Sequence, residues 1–571
     1  MKKTLMSEKF ISMLLGGTIT RIVAILLFIA DSIIGGRILG EDALAGISLV
    51  SPLFSGAIFI SMIFSTGVPV LYGKSIGRFD KEEADRFFGF GLFISTLVGV
   101  TIFILSFFVG DLYLDFFNAP EAVVSHAEKY LFWMSFVFLI VPLQSYISEM
   151  VYEDGDEILS AGSDILQTLI NIPLSIILCL KLGTAGLSLG TFITTLAGLI
   201  ILLLHFPKKT NSLKPNLYFS FTVLRDAVRY SLIDACSYLF LAFYAIILEK
   251  YVVLRFGSDK LVVISMIITI TELSILFDGI GDAMSPILTL YLGEEAFQGM
   301  NDIFSLARKT SNIEGIVVSV LVIIFAPVIP AILGIEDTAS VSLCADAARI
   351  VSLGFVFTSL LFLLSSYYLL LEKIALSLMI CMLRDFLLPT AMALLCGEIF
   401  GIYGMFAGLA VAPFLAAVIT TLSIRRKYGC AEYPMLIPEE KQKKVSVLYD
   451  FMVSPEATMR ICDEVESALT LRGYEKKLVM RVKLIVEELF MLIYEINEKK
   501  TVLAECVLVM CSDHIKLMEM DNGRVFDLTD EDMPVNSLRA YIITQFSSSY
   551  VKRKKFMPAL SENRNTFSIS L

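Results

Sequence analysis

Residues 34–45 read IGGRILGEDALA, and residues 251–262 read YVVLRFGSDKLV. The two segments carry a glycine, an aspartate and a leucine at matching positions, and the same register pairs Pro69 with Pro286. Similarity at one constant spacing is typical of a repeated architecture. The sequence therefore predicts two related halves that follow one another in parallel.

The chain around this repeat is very apolar. Of its 571 residues, 56% are hydrophobic and 18% are charged, and the mean hydropathy is +0.76. Soluble domains are far less apolar, so lipid is the expected solvent. Apolar stretches of ~20 residues, the length that spans a bilayer, recur up to about residue 425. They predict an all-α polytopic membrane protein with twelve transmembrane helices in two six-helix lobes. The predicted spans lie near 10–36, 46–72, 87–109, 128–150, 163–181, 185–206, 228–254, 261–291, 312–334, 346–371, 374–397 and 401–424.

These patterns divide the chain into four parts. Residues 1–207 are the predicted N-lobe, residues 208–427 the C-lobe, residues 428–444 a polar linker, and residues 445–571 a soluble α+β domain. Lysine and arginine cluster in loops on the side of the two termini, as at 425–427. Because positively charged loops face the cytoplasm, both termini are predicted to be cytoplasmic.

The composition excludes several kinds of chemistry. The nine cysteines are scattered without a C-x-x-C pair, so neither a disulfide framework nor a metal site is indicated. Only three histidines occur, which disfavours catalysis by a histidine base. The formal net charge of -11 gives no reason to expect a basic surface for nucleic acid. We therefore expect no catalysis by a histidine base, no metal and no nucleic-acid partner.

Several motifs in the helical region resemble those of multidrug and toxic compound extrusion (MATE) transporters. DSIIGGR at 31–37 resembles the end of helix 1 in that family, and residues 67–84 resemble its glycine-rich segment and charged loop. NIPL at 171–174, followed by LGTAGL at 182–187, resembles its helix 5 to helix 6 pattern, and Arg384 lies where many members have an arginine. The resemblance extends over all the predicted spans.

The resemblance implies a secondary antiporter, which exports cationic or amphipathic organic compounds while protons or sodium enter. Its partners would be small organic cations or amphipathic drugs and the membrane lipid, with no cofactor beyond the coupling ion. The expected location is the bacterial cytoplasmic membrane, and in transporters with parallel repeats the substrate cavity lies between the lobes. One rival is a lipid-linked precursor flippase of the same superfamily, which should have a more cationic cavity. The other is a membrane-tethered signalling protein whose tail binds a regulator.

Asp31 is the first candidate for the coupling residue, because the family uses the matching aspartate in that role. Ionisable groups inside a membrane are costly and usually face a cavity where they act. Burial favours a protonated carboxyl group and a nearby cation favours the carboxylate, so proton release can be coupled to substrate binding. The alternative is that Asp31 caps its helix or pairs with Arg37.

Helix 5 departs from the family pattern. Proton-coupled archaeal-type members have an aspartate four residues after the residue that matches Asn171, whereas this chain has Ser175. Asp164 lies one heptad before Asn171, on nearly the same face as Gln167 and Thr168. Asp164 either replaces the missing aspartate or lies at the cytoplasmic boundary of the membrane.

Helix 8 carries three acids in an otherwise apolar run: Glu272, Asp278 and Asp282. Asp278 and Asp282 are four residues apart and share a helix face. We expect at least one of the three to line the C-lobe cavity and to bind the coupling ion or a cationic substrate. The alternative is a structural ion-pair network with Arg384 and Asp234.

The soluble tail is predicted to fold as helix, helix, strand, strand. Residues 456–472 and 475–497 have helical periodicity, and residues 502–511 and 514–520 have the pattern of a β-hairpin. This order, followed by DNG at 521–523, resembles the histidine-kinase-like (GHKL) ATPase fold and is nearest to anti-sigma-factor kinases.

Only part of the nucleotide site implied by that resemblance is present. Glu488 matches the acid of the magnesium motif, and Asp521 with Gly523 matches the turn that binds adenine. Leu492 replaces the asparagine that would hold magnesium, and no glycine follows Gly523 to wrap phosphates. We therefore expect a degenerate, non-catalytic module that regulates transport by binding a cytoplasmic protein or a nucleotide. Binding of ATP or ADP is left open, because DNG also favours an ordinary hairpin turn.

Overall fold

The chain is helical up to Tyr428 and mixed in secondary structure beyond it. The computed structural model describes residues 5–77, 81–117, 119–154, 156–208, 211, 213–216, 218–294, 296–335, 337–429, 433–436, 446–510, 514–524, 538–547, 549–552 and 563–570. Short 3₁₀ segments lie at Ser258–Lys260 and Leu273–Phe277, and a π-helical turn lies at Leu383–Leu387. The α-helices are α1 (Leu5–Leu39), α2 (Glu41–Gly77), α3 (Lys81–Phe117), α4 (Glu121–Glu153), α5 (Glu157–Leu182), α6 (Thr184–Leu203), α7 (Phe221–Phe256), α8 (Leu261–Glu272), α9 (Asp278–Glu294), α10 (Phe297–Phe325), α11 (Ile329–Ile332), α12 (Thr338–Ser352), α13 (Phe355–Leu370), α14 (Ile374–Met382), α15 (Leu388–Tyr428), α16 (Pro455–Thr470), α17 (Lys476–Ile496) and α18 (Leu538–Phe546).

The two repeat segments adopt the same backbone conformation. Gly40 follows α1 with φ at +93°, and Gly257 follows α7 with φ at +97°. Both values lie in the left-handed region that glycine adopts without steric cost. A new helical segment begins directly after each glycine. This backbone match supports the internal repeat predicted from the sequence.

The multi-pass prediction is confirmed, whereas the count of twelve spans stays a prediction. The described residues contain 7 helices long and apolar enough to cross a membrane, or up to 8 if the bent pair α12 and α13 forms one span. One of them runs from Ile374 to Tyr428 over 55 residues, which is about twice the length that one span needs. Gly401 breaks it with φ at 69° and ψ at -157°. It therefore has room for both predicted spans, 374–397 and 401–424.

Residues Ile19–Asp278 and Ser311–Thr420 form one compact unit, made of helices. Within it α2 and α7 approach closely at Gly67, where an added Cβ would lie 2.2 Å from the carbonyl oxygen of Ala227. Small residues at helix interfaces allow such close approach of two backbones. Gly67, the first residue of the glycine-rich segment quoted from the sequence, is thus a helix-packing contact.

Residues Met1–Thr18, Gly279–Thr310 and Thr421–Leu571 form the second unit. It contains a five-stranded antiparallel sheet with the strand order β1-β2-β3-β5-β4. The strands are β1 (Ser446–Met452), β2 (Leu503–Met510), β3 (His514–Asp521), β4 (Ser549–Lys552) and β5 (Asn563–Ser570).

One face of this sheet packs against α16 and α17. Ser454 starts α16, because its side chain accepts a hydrogen bond from the backbone N–H of Ala457. The predicted helices and strands of the tail are confirmed to within two residues at each end. The shared core consists of buried apolar residues, among them Phe451, Cys462, Val465, Val486, Leu489, Phe490, Cys506, Leu508, Leu517, Phe567 and Ile569.

Candidate functional site

Asp31 lies inside α1, and its side chain is almost fully buried. Its Oδ2 accepts hydrogen bonds from the hydroxyl of Tyr130 at 2.8 Å and from the hydroxyl of Thr191 at 3.2 Å. Arg37, the partner considered as an alternative, donates its Nε to the carbonyl oxygen of Ile332 at 3.2 Å. Asp31 is therefore held by hydroxyl groups of two other helices, α4 and α6.

Thr191 connects Asp31 to Asn171. The Nδ2 of Asn171 donates to the hydroxyl oxygens of Thr191 at 3.3 Å and Thr194 at 3.2 Å. Asn171 is 1% exposed, and its Oδ1 has no hydrogen-bond partner among the described residues. A buried polar chain thus runs from α1 through α6 to α5, and one of its acceptors is left unused.

Asp31 also lines a cavity of about 170 Å³ that is open to solvent. This volume is smaller than the ~300–1,000 Å³ typical of small-molecule sites. The charged side chains on its described wall are both acidic, Asp31 and Glu272, so the cavity favours a cation. The wall consists of Asp31, Ser32, Ile47, Ser48, Val50, Ser51, Phe54, Tyr130, Met134, Val137, Val141, Gln167, Thr191, Thr195, Ser265, Ile268, Thr269 and Glu272.

The structure separates the three acids predicted in helix 8. Glu272 ends α8, is 5% exposed and lies on the cavity wall. The helix is interrupted directly after it by the 3₁₀ segment, a feature that often marks a functional hinge. Asp278 lies 3.8 Å from Arg21, and Asp282 is exposed. Of the three, Glu272 is the one placed to meet a bound solute.

Glu249 in α7 is a buried acid that the sequence reasoning missed. It is 0% exposed, and its Oε1 accepts a hydrogen bond from the hydroxyl of Ser48 at 2.9 Å. Its Oε2 has no hydrogen-bond partner among the described residues. Ser48 lines the cavity, so Glu249 contacts the cavity wall through the hydroxyl of Ser48. The only signal in the sequence is a lone acid in a predicted span, and Lys250 beside it suggests a membrane boundary instead.

Asp164 is exposed on α5 and lies away from the described cavity wall. Gln167, which the sequence places on nearly the same face, does line the cavity and accepts a hydrogen bond from Gln144 at 2.7 Å. In the loop before α5, hydrogen bonds from Lys208 and His205 hold the pKa of Asp156 below its usual value. That ionic contact joins the start of α5 to the end of α6.

Arg384 lies in the π-helical turn and is buried. Its Nε and a terminal nitrogen donate to the two carboxylate oxygens of Asp385 at 2.5 and 2.6 Å. Its guanidinium carbon lies 3.3 Å from the ring centre of Phe362. The side chain of Asp234, the other partner considered, falls outside the described side chains. Arg384 is satisfied locally, which favours the structural alternative over direct contact with a solute.

Replacement of Arg384 by lysine tests this structural reading. A lysine ammonium cannot form the bidentate contact or the planar stack, so Arg384→Lys should lower the free energy of unfolding by about 1.5–3 kcal/mol. For the antiport activity expected from the sequence, the rate per folded molecule should be nearly unchanged. Thermal unfolding and vesicle transport measure the two quantities.

The control is Arg349→Lys, which makes the same exchange in the exposed ion pair between Arg349 and Asp346. Its effect should be within about 0.5 kcal/mol, as is usual at surfaces. An Arg384→Lys protein that unfolds normally but transports poorly would contradict the structural reading.

The tail residues matched to a nucleotide site are occupied by protein contacts. The carboxylate of Glu488 accepts a hydrogen bond from Arg539 at 2.5 Å, and Glu495 accepts another at 3.2 Å. Burial acts to lower the pKa of Arg539, but the two carboxylates outweigh it and raise that pKa. Leu492 is fully buried in the tail core. A magnesium ion at Glu488 would therefore have to displace Arg539.

The turn matched to adenine binding is formed as a tight local structure. Asp521 is buried, and its Oδ1 accepts a hydrogen bond from the backbone N–H of Gly523 at 2.6 Å. The Oδ1 of Asn497 accepts another from the backbone N–H of Arg524 at 2.9 Å. Most of the predicted linker, residues 428–444, falls outside the described residues.

These observations describe a helical membrane protein with an acidic cavity. Residues 18–177 match the MatE family model. A curated relative, "Probable multidrug resistance protein YoeA" of Bacillus subtilis (strain 168), is 30% identical over 190 residues. That match covers 31% of this chain and 40% of the relative. The matched part is thus less than half of either protein.

Solved structures match over a greater length. An inward-facing multidrug resistance MATE family transporter of the MOP superfamily superposes with a TM-score of 0.66 at 21% identity, covering 72% of this chain and 98% of that one. A MOP superfamily transporter from Pyrococcus furiosus gives a TM-score of 0.62 at 20% identity, covering 75% and 96%. The fold is therefore that of MATE transporters, as the sequence motifs predicted.

Proposed function

We propose that this chain is a secondary active antiporter of the bacterial cytoplasmic membrane, with both termini cytoplasmic, which exports cationic or amphipathic organic compounds in exchange for protons or sodium. The observation that carries the proposal is the buried Asp31 on the wall of an acidic cavity. The MATE fold and the name of the curated relative support the same direction of function.

In this proposal Asp31 is the residue at which the coupling ion and the substrate compete. A cation that enters the cavity stabilises the Asp31 carboxylate and favours release of its proton or sodium ion. The hydroxyls of Tyr130 and Thr191 hold the carboxylate in place and stabilise its charged form. The chain through Thr191 to Asn171 links the state of Asp31 to α5 and α6.

Glu272 and Glu249 supply a second acidic locus in this proposal. Glu272 meets the solute directly, whereas Glu249 acts through Ser48. Glu272 is slightly exposed to the cavity and Glu249 is fully buried. Such a pair is suited to hold a cation in one state of the cycle and to release it in another. The 3₁₀ segment after Glu272 gives the helix a place to bend during that cycle.

The acidic wall disfavours the flippase alternative. A lipid-linked precursor that carries phosphate would be repelled by Asp31 and Glu272, and no lysine, arginine or histidine lines the described wall. The transport experiment below distinguishes the antiporter from both alternatives, the flippase and the signalling protein.

Reconstituted vesicles with an imposed proton or sodium gradient test the proposal. A fluorescent organic cation should move against its gradient with one of the two ions. Glu272→Gln should slow this movement about tenfold, because a charge-assisted contact of ~1.4 kcal/mol is lost. Ser51→Ala, a change of similar size on the same wall, should retain most of the rate.

Two results would contradict the proposal. Movement that ignores both ion gradients would exclude antiport. Translocation of a lipid-linked anion in the absence of organic-cation transport would favour the flippase. The gradient that drives transport identifies the coupling ion.

We further propose that the tail is a non-catalytic regulatory module. The pairing of Glu488 with Arg539 and the burial of Leu492 both support the loss of magnesium binding. In this proposal the tail binds a cytoplasmic protein or a nucleotide such as ATP or ADP. This binding is separate from the transport step itself.

A further inference from the structure

The sheet of the tail is covered on both faces. Every residue of β2 is buried, although α16 and α17 pack on only one side of it. Cys506 and Leu508 belong to the core shared with those helices. Val507 and Val509 alternate with them and point to the opposite face, yet they are 0% and 1% exposed. Something else therefore covers this second face.

The register of the strands identifies further residues of that face. Val507 pairs with Met518, and Glu505 pairs with Met520. Met518 and Met520 are 0% and 3% exposed. On the other neighbouring strand Asp450 pairs directly with Glu505. We call this set the second face; its residues are Asp450, Glu505, Val507, Val509, Met518 and Met520.

Two hydrogen bonds show which segments lie on the second face. The hydroxyl of Tyr291, in α9, donates to both carboxylate oxygens of Glu505, at 2.9 and 2.8 Å. The backbone N–H of Leu5, at the start of α1, donates to the Oδ1 of Asp450 at 3.2 Å. All four residues belong to the same compact unit. Apolar residues of these two segments are also buried: Leu5, Met6 and Phe10 in α1, and Met284, Ile287 and Leu288 in α9.

The burial of Glu505 indicates that the contact is specific. Glu505 is 1% exposed, and a buried carboxylate is costly unless hydrogen bonds satisfy it. On an uncovered sheet Glu505 would simply face water. Its burial therefore fits a tail that is docked on α9, where the hydroxyl of Tyr291 donates to the Glu505 carboxylate.

The two anchors come from different halves of the repeat. Leu5 belongs to the first helix of the first half, whereas Tyr291 belongs to the second half. Paired carboxylates on adjacent strands thus hold one segment from each half. Transport by rocking of two halves requires their cytoplasmic ends to move relative to one another. A rigid sheet bound to both ends opposes that motion.

We propose that the tail is an autoinhibitory clamp, which binds α1 through Asp450 and α9 through Glu505 and slows the transport cycle until it is released. This inference rests on the proposed transport function. It assigns the regulation to the second face, and it does not require the tail to bind a nucleotide.

The test combines methionine oxidation with transport in the full-length chain. Tyr291→Phe removes one hydroxyl and keeps the ring. Dilute hydrogen peroxide followed by peptide mass spectrometry should then oxidise Met518 and Met520 about tenfold faster, because one hydrogen bond to a charged group is lost. Met510 is buried in the core on the other face, and its slow oxidation should be unchanged. The initial transport rate should rise about fivefold.

Tyr541→Phe is the matched control, because it removes a hydroxyl from a tyrosine of the tail that is 63% exposed. It should change neither oxidation nor transport. If Met510 also becomes reactive in Tyr291→Phe, the tail core has opened, and Asp450→Asn, which weakens the other anchor, decides instead. Faster oxidation of Met518 and Met520 without faster transport would overturn the clamp, and so would unchanged oxidation.

Failure of the clamp and failure of the proposed function are distinguishable. The oxidation pattern reports docking whether or not the protein transports anything. A wild-type chain that shows no transport under either ion gradient would overturn the proposed function, while the oxidation result would still report the contact between Tyr291 and Glu505.

Discussion

Asp31→Asn should slow ion-coupled export by roughly one to two orders of magnitude. The amide keeps the size of the side chain and can still accept a hydrogen bond from Tyr130, but it can neither release a proton nor attract a cation by charge. Hydrogen bonds to charged groups contribute about 1.5–3 kcal/mol, which corresponds to a loss of roughly 10- to 150-fold in transport rate. The measurement is the initial rate of organic-cation movement in vesicles under the driving ion gradient.

Two further exchanges of acid for amide accompany this experiment. Asp346→Asn changes a surface acid that contacts Arg349 and should transport normally. Asp164→Asn should also retain transport, because its side chain is exposed and lies away from the described cavity wall. Wild-type rates in Asp31→Asn would exclude Asp31 as the coupling residue, and a loss in Asp164→Asn would assign that role to helix 5.

Gly67→Ala should destabilise the helical unit, residues 19–278 and 311–420, far more than Gly56→Ala in the same helix. Its Cβ would lie 2.2, 2.8 and 3.0 Å from the carbonyl oxygen, carbonyl carbon and Cα of Ala227. These are backbone atoms, so the two helices must separate. Overpacking of this kind costs about 1–3 kcal/mol, with a matching fall in the melting temperature. The fluorescence of Trp133, the single tryptophan, follows unfolding of the same unit.

Gly56→Ala is the matched control in the same helix. An added Cβ at Gly56 meets no atom within 4 Å, and alanine has the higher helix propensity. Gly56→Ala should therefore leave the melting temperature unchanged or raise it slightly. Equal melting temperatures for the two variants would contradict the close approach of α2 to α7.

Sequence periodicity was sufficient to predict the helices and strands, but it could not predict the cavity. The tail helices and strands could be predicted because amphipathic patterns reflect a local burial that each element carries with it. The repeat could be predicted because Gly40 and Gly257 satisfy the same backbone requirement. Asp31 was found through its family motif, and the structure then supplied its partners, Tyr130 and Thr191.

The remaining site residues depend on contacts between distant helices. Nothing near Glu249 in the sequence indicates Ser48, which is 201 positions away. Glu272 could not be separated from Asp278 and Asp282, because the 3₁₀ segment that reorients the helix has an ordinary apolar sequence. Such choices depend on tertiary packing, which periodicity along one helix does not record.

The two-sided burial of β2 also bears on how this chain can change during evolution. A strand with solvent on one side accepts many substitutions on that side, whereas the side chains on both faces of β2 must fit a packed neighbour. The tail is consequently not an interchangeable module. Replacing it with a homologous domain, or moving it to another membrane protein, requires compensating changes around Tyr291. Inheritance of the two parts is therefore expected to be linked.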